Sequence, residues 1–260
     1  MSDDRYDALA AAVTERELDA LLVSNLVNVR WLTGFTGSNA TAVVGASQRR
    51  FVTDFRYLTQ AAEQLDPAWE REIAPELLKR TVAGLPAGPL KLGFDDAHLS
   101  VKQHAQLADL VAQDVELVAA GGMVEALRAV KDAAEIDAIR AAAQLADDAF
   151  EEVLAAGIVG RTEKQVALDL EFAMRRRGAD SVAFPPIVAA GEHGALPHAR
   201  PRDVPIAAGT LVVIDWGAQL DGYASDCTRT VATGELDPRD RAVYDLVLRA
   251  QEEALAAVRP

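Results

Sequence analysis

A chain of 260 residues, half of them apolar, is long enough to bury one large core or two ordinary ones. Its net charge of −14 argues against nucleic acid as a partner, because phosphates repel an acidic surface. A single cysteine, Cys227, excludes an intrachain disulfide, and no apolar run approaches the ~20 residues of a membrane span; a cytoplasmic protein with no membrane partner is expected.

The first 120 or so residues alternate helix-like and strand-like segments. A helix is expected over 5–18, with Leu9 and Val13 on one stripe, then a strand over 21–24. Residues 27–37 read as irregular. Strands follow over 40–44 and 50–53, and Asp54 opens a helix running to 64. Further strands are expected over 70–74, 90–94 and 115–118, separated by helices over 75–83 and 100–112, with Ser100 as N-cap. Strands spaced by helices imply an α/β layer. Gly121–Gly122 is the expected boundary, giving domains 1–121 and 122–260.

Beyond it, Asp132 and Glu135 have capping-box spacing ahead of a helix whose Ile136, Ile139, Ala143, Ala146, Phe150 and Val153 share a face. Thr162 and Gln165 open another, which buries Val166, Leu170, Ala173 and Met174 and ends at Gly178. A strand then enters a glycine-rich turn carrying His193 and His198. Residues 211–231, LVVIDWGAQLDGYASDCTRTV, read as a β-hairpin turning at Asp221–Gly222, with Asp215 on one arm and Asp226 on the other. If the arms pair, period-two alternation brings both carboxylates to one side of the sheet and turns Cys227 and Trp216 to the other. Facing carboxylates repel unless a proton or a cation lies between them, and hard oxygen donors suit manganese or magnesium, with zinc and cobalt tolerated. Aspartates near strand ends also serve simply as turn formers and caps. Asp237–Pro238 opens a last helix, with Val243, Leu246, Val247, Ala250, Ala254 and Val258 as its apolar side.

The segments FPPIVAAG, ALPHARP and VVIDWGAQLDGYASDCTRTV, in that order, closely resemble the Xaa-Pro aminopeptidase and Xaa-Pro dipeptidase (prolidase) family of pita-bread metallopeptidases. NVRWLTGFTGSNA and TDFRYLTQA resemble the creatinase-type domain that precedes it. The resemblance implies an α/β N-terminal domain followed by an α+β pita-bread domain, the latter only partly present. It implies that Asp215 and Asp226 are metal ligands and that His198 lies in the active site against substrate. It further implies two divalent ions, manganese foremost with cobalt or zinc as alternatives, and a hydroxide bridging them that attacks the bond preceding proline. The implied substrates are short peptides with proline second, and the implied assembly is a homodimer. Arg56 and Tyr57 are candidates for reaching a neighbouring site, although packing within their own domain is the commoner role of such residues. Thr228 and Thr230, beside Asp226, are candidates for orienting its carboxylate. His193 stands where relatives carry a small or amide residue and is read as a bystander.

The family pattern also demands one further histidine and two glutamates, and neither an HGxGH nor an EPG segment occurs in these residues. Two carboxylates cannot balance two divalent ions. The 260 residues are therefore expected to bind at most one ion, weakly, and to be poorly soluble and inactive as given. A non-catalytic pita-bread module that binds basic proteins is the alternative, and a metal-free creatinase-like amidinohydrolase is a third reading. Retention of both aspartates disfavours each.

Overall fold

The computed structural model describes residues 2–259, and the chain divides into two compact units between Val130 and Lys131. In chain order the first unit comprises α1 (Ser2–Glu15), β1 (Ala20–Val23), α2 (Leu26–Thr33), β2 (Ala40–Gly45), β3 (Gln48–Thr53), α3 (Leu58–Gln64), β4 (Glu70–Ile73), α4 (Leu77–Ala83), β5 (Leu90–Phe94), α5 (Val101–Leu110), β6 (Val115–Ala119) and α6 (Met123–Ala129). Its described strands form one sheet in the order β4-β3-β2-β1-β5-β6; β2 runs antiparallel to both neighbours and the other pairs are parallel.

Alternation along β1 decides the layers. Leu21 and Val23 face a core built with Leu9 and Val13 of α1 and with Val29 and Leu32 of α2. Ala20 and Leu22 face the opposite core, with Leu92 of β5 and Leu107 of α5. The sheet is thus covered on both faces, as the α/β reading expects.

The stretch read as irregular contains α2. Asn25 accepts from the Val27 N–H at its start, and Gly34 ends it in the left-handed region at φ 78°. Eight residues including two valines, an asparagine and a threonine give little helical signal, and burial of Val29 and Leu32 overrides that propensity. Gly121–Gly122 leads into α6, which belongs to the first unit because Met123 and Val124 are buried in its core.

Arg56 and Tyr57 are both engaged inside this unit. The Arg56 guanidinium donates to both oxygens of the buried Asp54 carboxylate, at 2.9 and 2.8 Å, and Asn39 adds a third bond. Those bonds hold the Asp54 carboxyl far below the usual carboxylate range. The Tyr57 hydroxyl lies 2.6 Å from Ser38 Oγ.

The second unit comprises α7 (Ala133–Ala155), α8 (Glu163–Arg176), β7 (Ser181–Val182), β8 (Ile187–Ala190), β9 (Leu211–Trp216), β10 (Ala218–Leu220), β11 (Tyr223–Ala224), β12 (Cys227–Ala232) and α9 (Pro238–Ala257). Leu145, Val153, Val166, Leu170 and Met174 of α7 and α8 pack against Val188, Val212, Ile214 and Trp216 of the strands. The capping boxes at Asp132–Glu135 and Thr162–Gln165 both form. The apolar side of α9 is exposed, with Leu246 at 58% and Val247 at 62%. No described helix is long and apolar enough to cross a membrane.

The 211–231 ribbon pairs as expected at its base but is bent. β9 pairs with β12 in the sheet β12-β9-β8, whereas β10 and β11 belong to a separate sheet, β11-β10-β7. Gly217 sits at the switch, where a Cβ would lie 2.0 Å from the Ser225 carbonyl oxygen, so only glycine lets the arms cross this closely. The distal turn has Asp221 and Gly222 both at positive φ, 48° and 82°, the backbone of a tight type I′ hairpin.

Candidate functional site

Three strands set the site, and the rotation of β9 is fixed first. Val212, Ile214 and Trp216 are fully buried on the core side. The Trp216 indole stacks on Phe150 at 4.1 Å, and its N–H donates to the Ala146 carbonyl at 2.9 Å. With those side chains committed inward, Val213 and Asp215 face the other way.

On that outer face Thr228 of β12 stands directly opposite Asp215, and its hydroxyl donates to Asp215 Oδ1 at 2.9 Å. Thr228 therefore orients Asp215, not the adjacent Asp226, and Thr230 stands opposite Val213. A cross-strand neighbour is nearer than a sequence neighbour, whose side chain leaves by a different route. Asp226 is exposed and precedes Cys227 by one residue. It lies outside the described strands, in the segment between β11 and β12, so the face it shares with Asp215 stays an expectation of the sequence pattern.

Cys227 faces the core side, half-buried. Burial raises its thiol, and the Arg229 guanidinium, which donates to Sγ at 2.9 Å, only partly opposes this. A thiol held protonated is a poor nucleophile and a poor ligand.

Ile187 of β8 is opposite Asp215 from the other side, and Ala190 is opposite Val212. The chain leaves β8 through the 3₁₀ turn Gly191–Ala195 into the segment that carries His198. This turn folds over the Asp215 face: a Cβ on Gly194 would lie 3.2 Å from Val213 Cγ2 and 3.3 Å from the Ala189 carbonyl oxygen. His198 itself is exposed.

Glu163 and His193 have a role in this loop that no local pattern announced. Glu163, the first residue of α8, is fully buried, and its carboxylate accepts bonds from the Ala190 and Arg202 backbone N–H groups at 2.9 and 2.8 Å. The Arg202 guanidinium adds bonds at 3.2 and 3.1 Å, and His193 Nδ1 lies 3.0 Å from both carboxylate oxygens. His193 is thus a structural member of the loop and not a bystander. Burial pushes the Glu163 carboxyl up, but the bonds from Arg202, from the Ala190 and Arg202 amides and from His193 outweigh it and hold the group at about 2.

The donor chemistry at Asp215 and Asp226 fits a hard divalent ion: two carboxylates, one of them oriented by a hydroxyl. Among the described residues no group of three or more His, Cys, Asp or Glu side chains could hold a metal. These residues fit part of a centre and do not complete a two-metal one.

Residues 5–130 match the creatinase/prolidase N-terminal domain, and residues 137–260 match metallopeptidase family M24. The uncharacterized peptidase YqhT of Bacillus subtilis is 38% identical over 94% of this chain and 69% of its own length. The Xaa-Pro dipeptidase of Pyrococcus furiosus is 29% identical, over 99% of this chain and 72% of its own. Among solved structures, an Xaa-Pro dipeptidase from Bacillus anthracis superposes with a TM-score of 0.89 at 34% identity, over 96% of this chain and 70% of that one. An X-Pro aminopeptidase from Thermotoga maritima gives 0.85 at 32%, over 94% and 70%.

Proposed function

The chain belongs to metallopeptidase family M24, with a creatinase/prolidase N-terminal domain ahead of a pita-bread unit, and on that premise we propose that it serves hydrolysis of the peptide bond preceding proline. The observation that carries the proposal is the Asp215–Thr228 bond on the outer face of β9, and Asp226 is proposed to turn to the same face. Relatives named Xaa-Pro dipeptidase and X-Pro aminopeptidase support the substrate class.

In this reading Asp215 and Asp226 hold divalent metal, manganese being the best match to oxygen donors, with cobalt or zinc as alternatives. Bound metal supplies Lewis acidity and lowers the pKa of water. Thr228 occupies one oxygen of Asp215 and so fixes where the carboxylate points. His198, exposed at the loop over this face, hydrogen-bonds the substrate beside the scissile carbonyl. The substrate nitrogen belongs to a tertiary amide without an N–H, so recognition rests on the ring and the carbonyls. A homodimer in the cytoplasm belongs to the same reading. Two carboxylates balance the charge of one divalent ion, so the 260 residues alone are proposed to bind one ion weakly and to show no turnover.

The test is hydrolysis of Ala-Pro and of an Ala-Pro tripeptide, with manganese added, by the protein expressed from its full reading frame and by the 260 residues alone. Cleavage by the former that is lost in Asp215→Ala supports the reading, and the preferred peptide length separates dipeptidase from aminopeptidase. No cleavage of either peptide contradicts it, and turnover by the 260 residues alone contradicts the limit set by two donors.

A further inference from the structure

We propose that Glu163 is a positioning residue for His198: its carboxylate clasps both ends of the 191–201 loop and so fixes where that loop presents the imidazole over the Asp215 face. The inference rests on the reading of His198 as the group that meets substrate, and it adds a residue remote in sequence from every motif of the site.

The clasp is geometric. Ala190 is the last residue before the loop, and its N–H ends on Glu163 Oε1; Arg202 follows the loop, and its N–H ends on Oε2. Between them His193 is tied to both oxygens, while the Arg202 guanidinium reaches the same carboxylate. The segment leaving the loop has independent support, since Glu163 N donates to the Val204 carbonyl and Lys164 N to the Arg202 carbonyl. The loop entry and the His193 ring converge on the carboxylate itself. Removing it therefore frees the loop from its entry up to Arg202 and leaves only the segment from Arg202 onward docked on α8.

All of these partners present hydrogens, and an ionised carboxylate is the one side chain of this length that only accepts. With the carboxyl held at about 2 it stays ionised across any working pH, so His193 Nδ1 must be a donor, which fixes that ring's tautomer. A glutamine in its place offers one acceptor oxygen and turns an NH₂ toward donors. The substitution is nearly isosteric, so it tests the charge and the acceptors and not the volume.

The experiment is a comparison of wild type and Glu163→Gln by amide hydrogen exchange and by NMR of the ¹⁵N-labelled histidine rings. Expected are a shifted His198 ring signal and exchange over 191–201 faster by about tenfold or more, with the amides of α7 as protected as before. Arg202→Ala keeps the Ala190 and His193 bonds and should give a smaller change of the same kind, which serves if Glu163→Gln does not fold. Unchanged His198 signals and loop exchange would overturn the proposal, as would exchange raised evenly across the whole second unit, the mark of a merely stabilising ion cluster. Where the protein hydrolyses proline peptides, Glu163→Gln and His198→Ala should be non-additive, the double variant staying within about twofold of His198→Ala in kcat; full additivity contradicts the clasp. The spectroscopic readouts need neither metal nor substrate, so a protein that cleaves no Xaa-Pro peptide ends the function assigned to His198 while they still decide the clasp.

Discussion

Thr228 Oγ1 lies 2.9 Å from Asp215 Oδ1, straight across the β9–β12 ladder. A valine would suit the strand equally well, so β-propensity alone does not call for a hydroxyl here. Donating to one oxygen, the threonine selects one orientation of a carboxylate that would otherwise rotate freely in solvent.

Thr228→Val should therefore leave the fold nearly untouched, within about 0.5 kcal/mol as for most surface substitutions. Manganese affinity should fall about tenfold, the low end of what losing a ligand's hydrogen-bond partner costs. Calorimetric titration beside a thermal melt separates the two effects, and Thr228→Ser should restore the affinity.

Glu163 gives the second unit an acid-sensitive joint. Its carboxyl drops from an ordinary 4.5 to about 2 on folding. A depressed carboxylate contributes its stability in full above the unfolded value and loses it as pH falls toward the folded one, so the loss runs from about pH 4.5 down to about 2. The shift corresponds to something on the order of 3 kcal/mol. Urea midpoints at pH 6 and pH 3 should differ less in Glu163→Gln than in wild type, and equal differences would exclude Glu163 as the source.

Trp216 fixes the rotation of β9, and that rotation points Asp215 outward. Trp216→Ala should cost about 3–5 kcal/mol from lost packing on Phe150 and the surrounding core. Trp216→Phe keeps most of the packing and leaves the Ala146 carbonyl without its indole donor, for a smaller loss of about 1–3 kcal/mol. Denaturation followed by circular dichroism measures both, and the order of the two variants is the diagnostic.

Gly217→Ala should destabilise the second unit by about 2 kcal/mol or more, because the new methyl meets the Ser225 carbonyl oxygen. Gly122→Ala is a comparison without a clash: Gly122, unlike Gly217, has positive φ, but nothing lies within 4 Å of its Cβ position, so only the backbone strain, about 1 kcal/mol, is expected. Similar losses in the two variants would mean that the crossing at Gly217 is looser than its geometry implies.

Much of this was legible in the residues because it follows short-range rules. The N-cap at Ser100 and the capping boxes at Asp132 and Thr162 announce their helices, and period-two alternation turns Trp216 inward and Asp215 outward. What stayed hidden depends on partners distant in sequence. Helix α2 exists because Val29 and Leu32 find a core, and nothing in the segment's own composition says so. The sheet switch at Gly217 looks like ordinary glycine until Ser225 is brought against it. Glu163 looks like an acid placed in a first helical turn to suit the macrodipole. Its work at His193, Ala190 and Arg202 needs contacts 27 to 39 residues away. An acid followed by a histidine-bearing glycine loop is the only local hint, and it is a weak one.

Manganese titration into the 260-residue chain, with Asp215→Ala and Asp226→Ala beside it, bears most directly on the claim that these two carboxylates share one face and one ion. Binding of a single ion by wild type, abolished in both variants, is the expected result. Isotherms that are the same for wild type and either variant would contradict it.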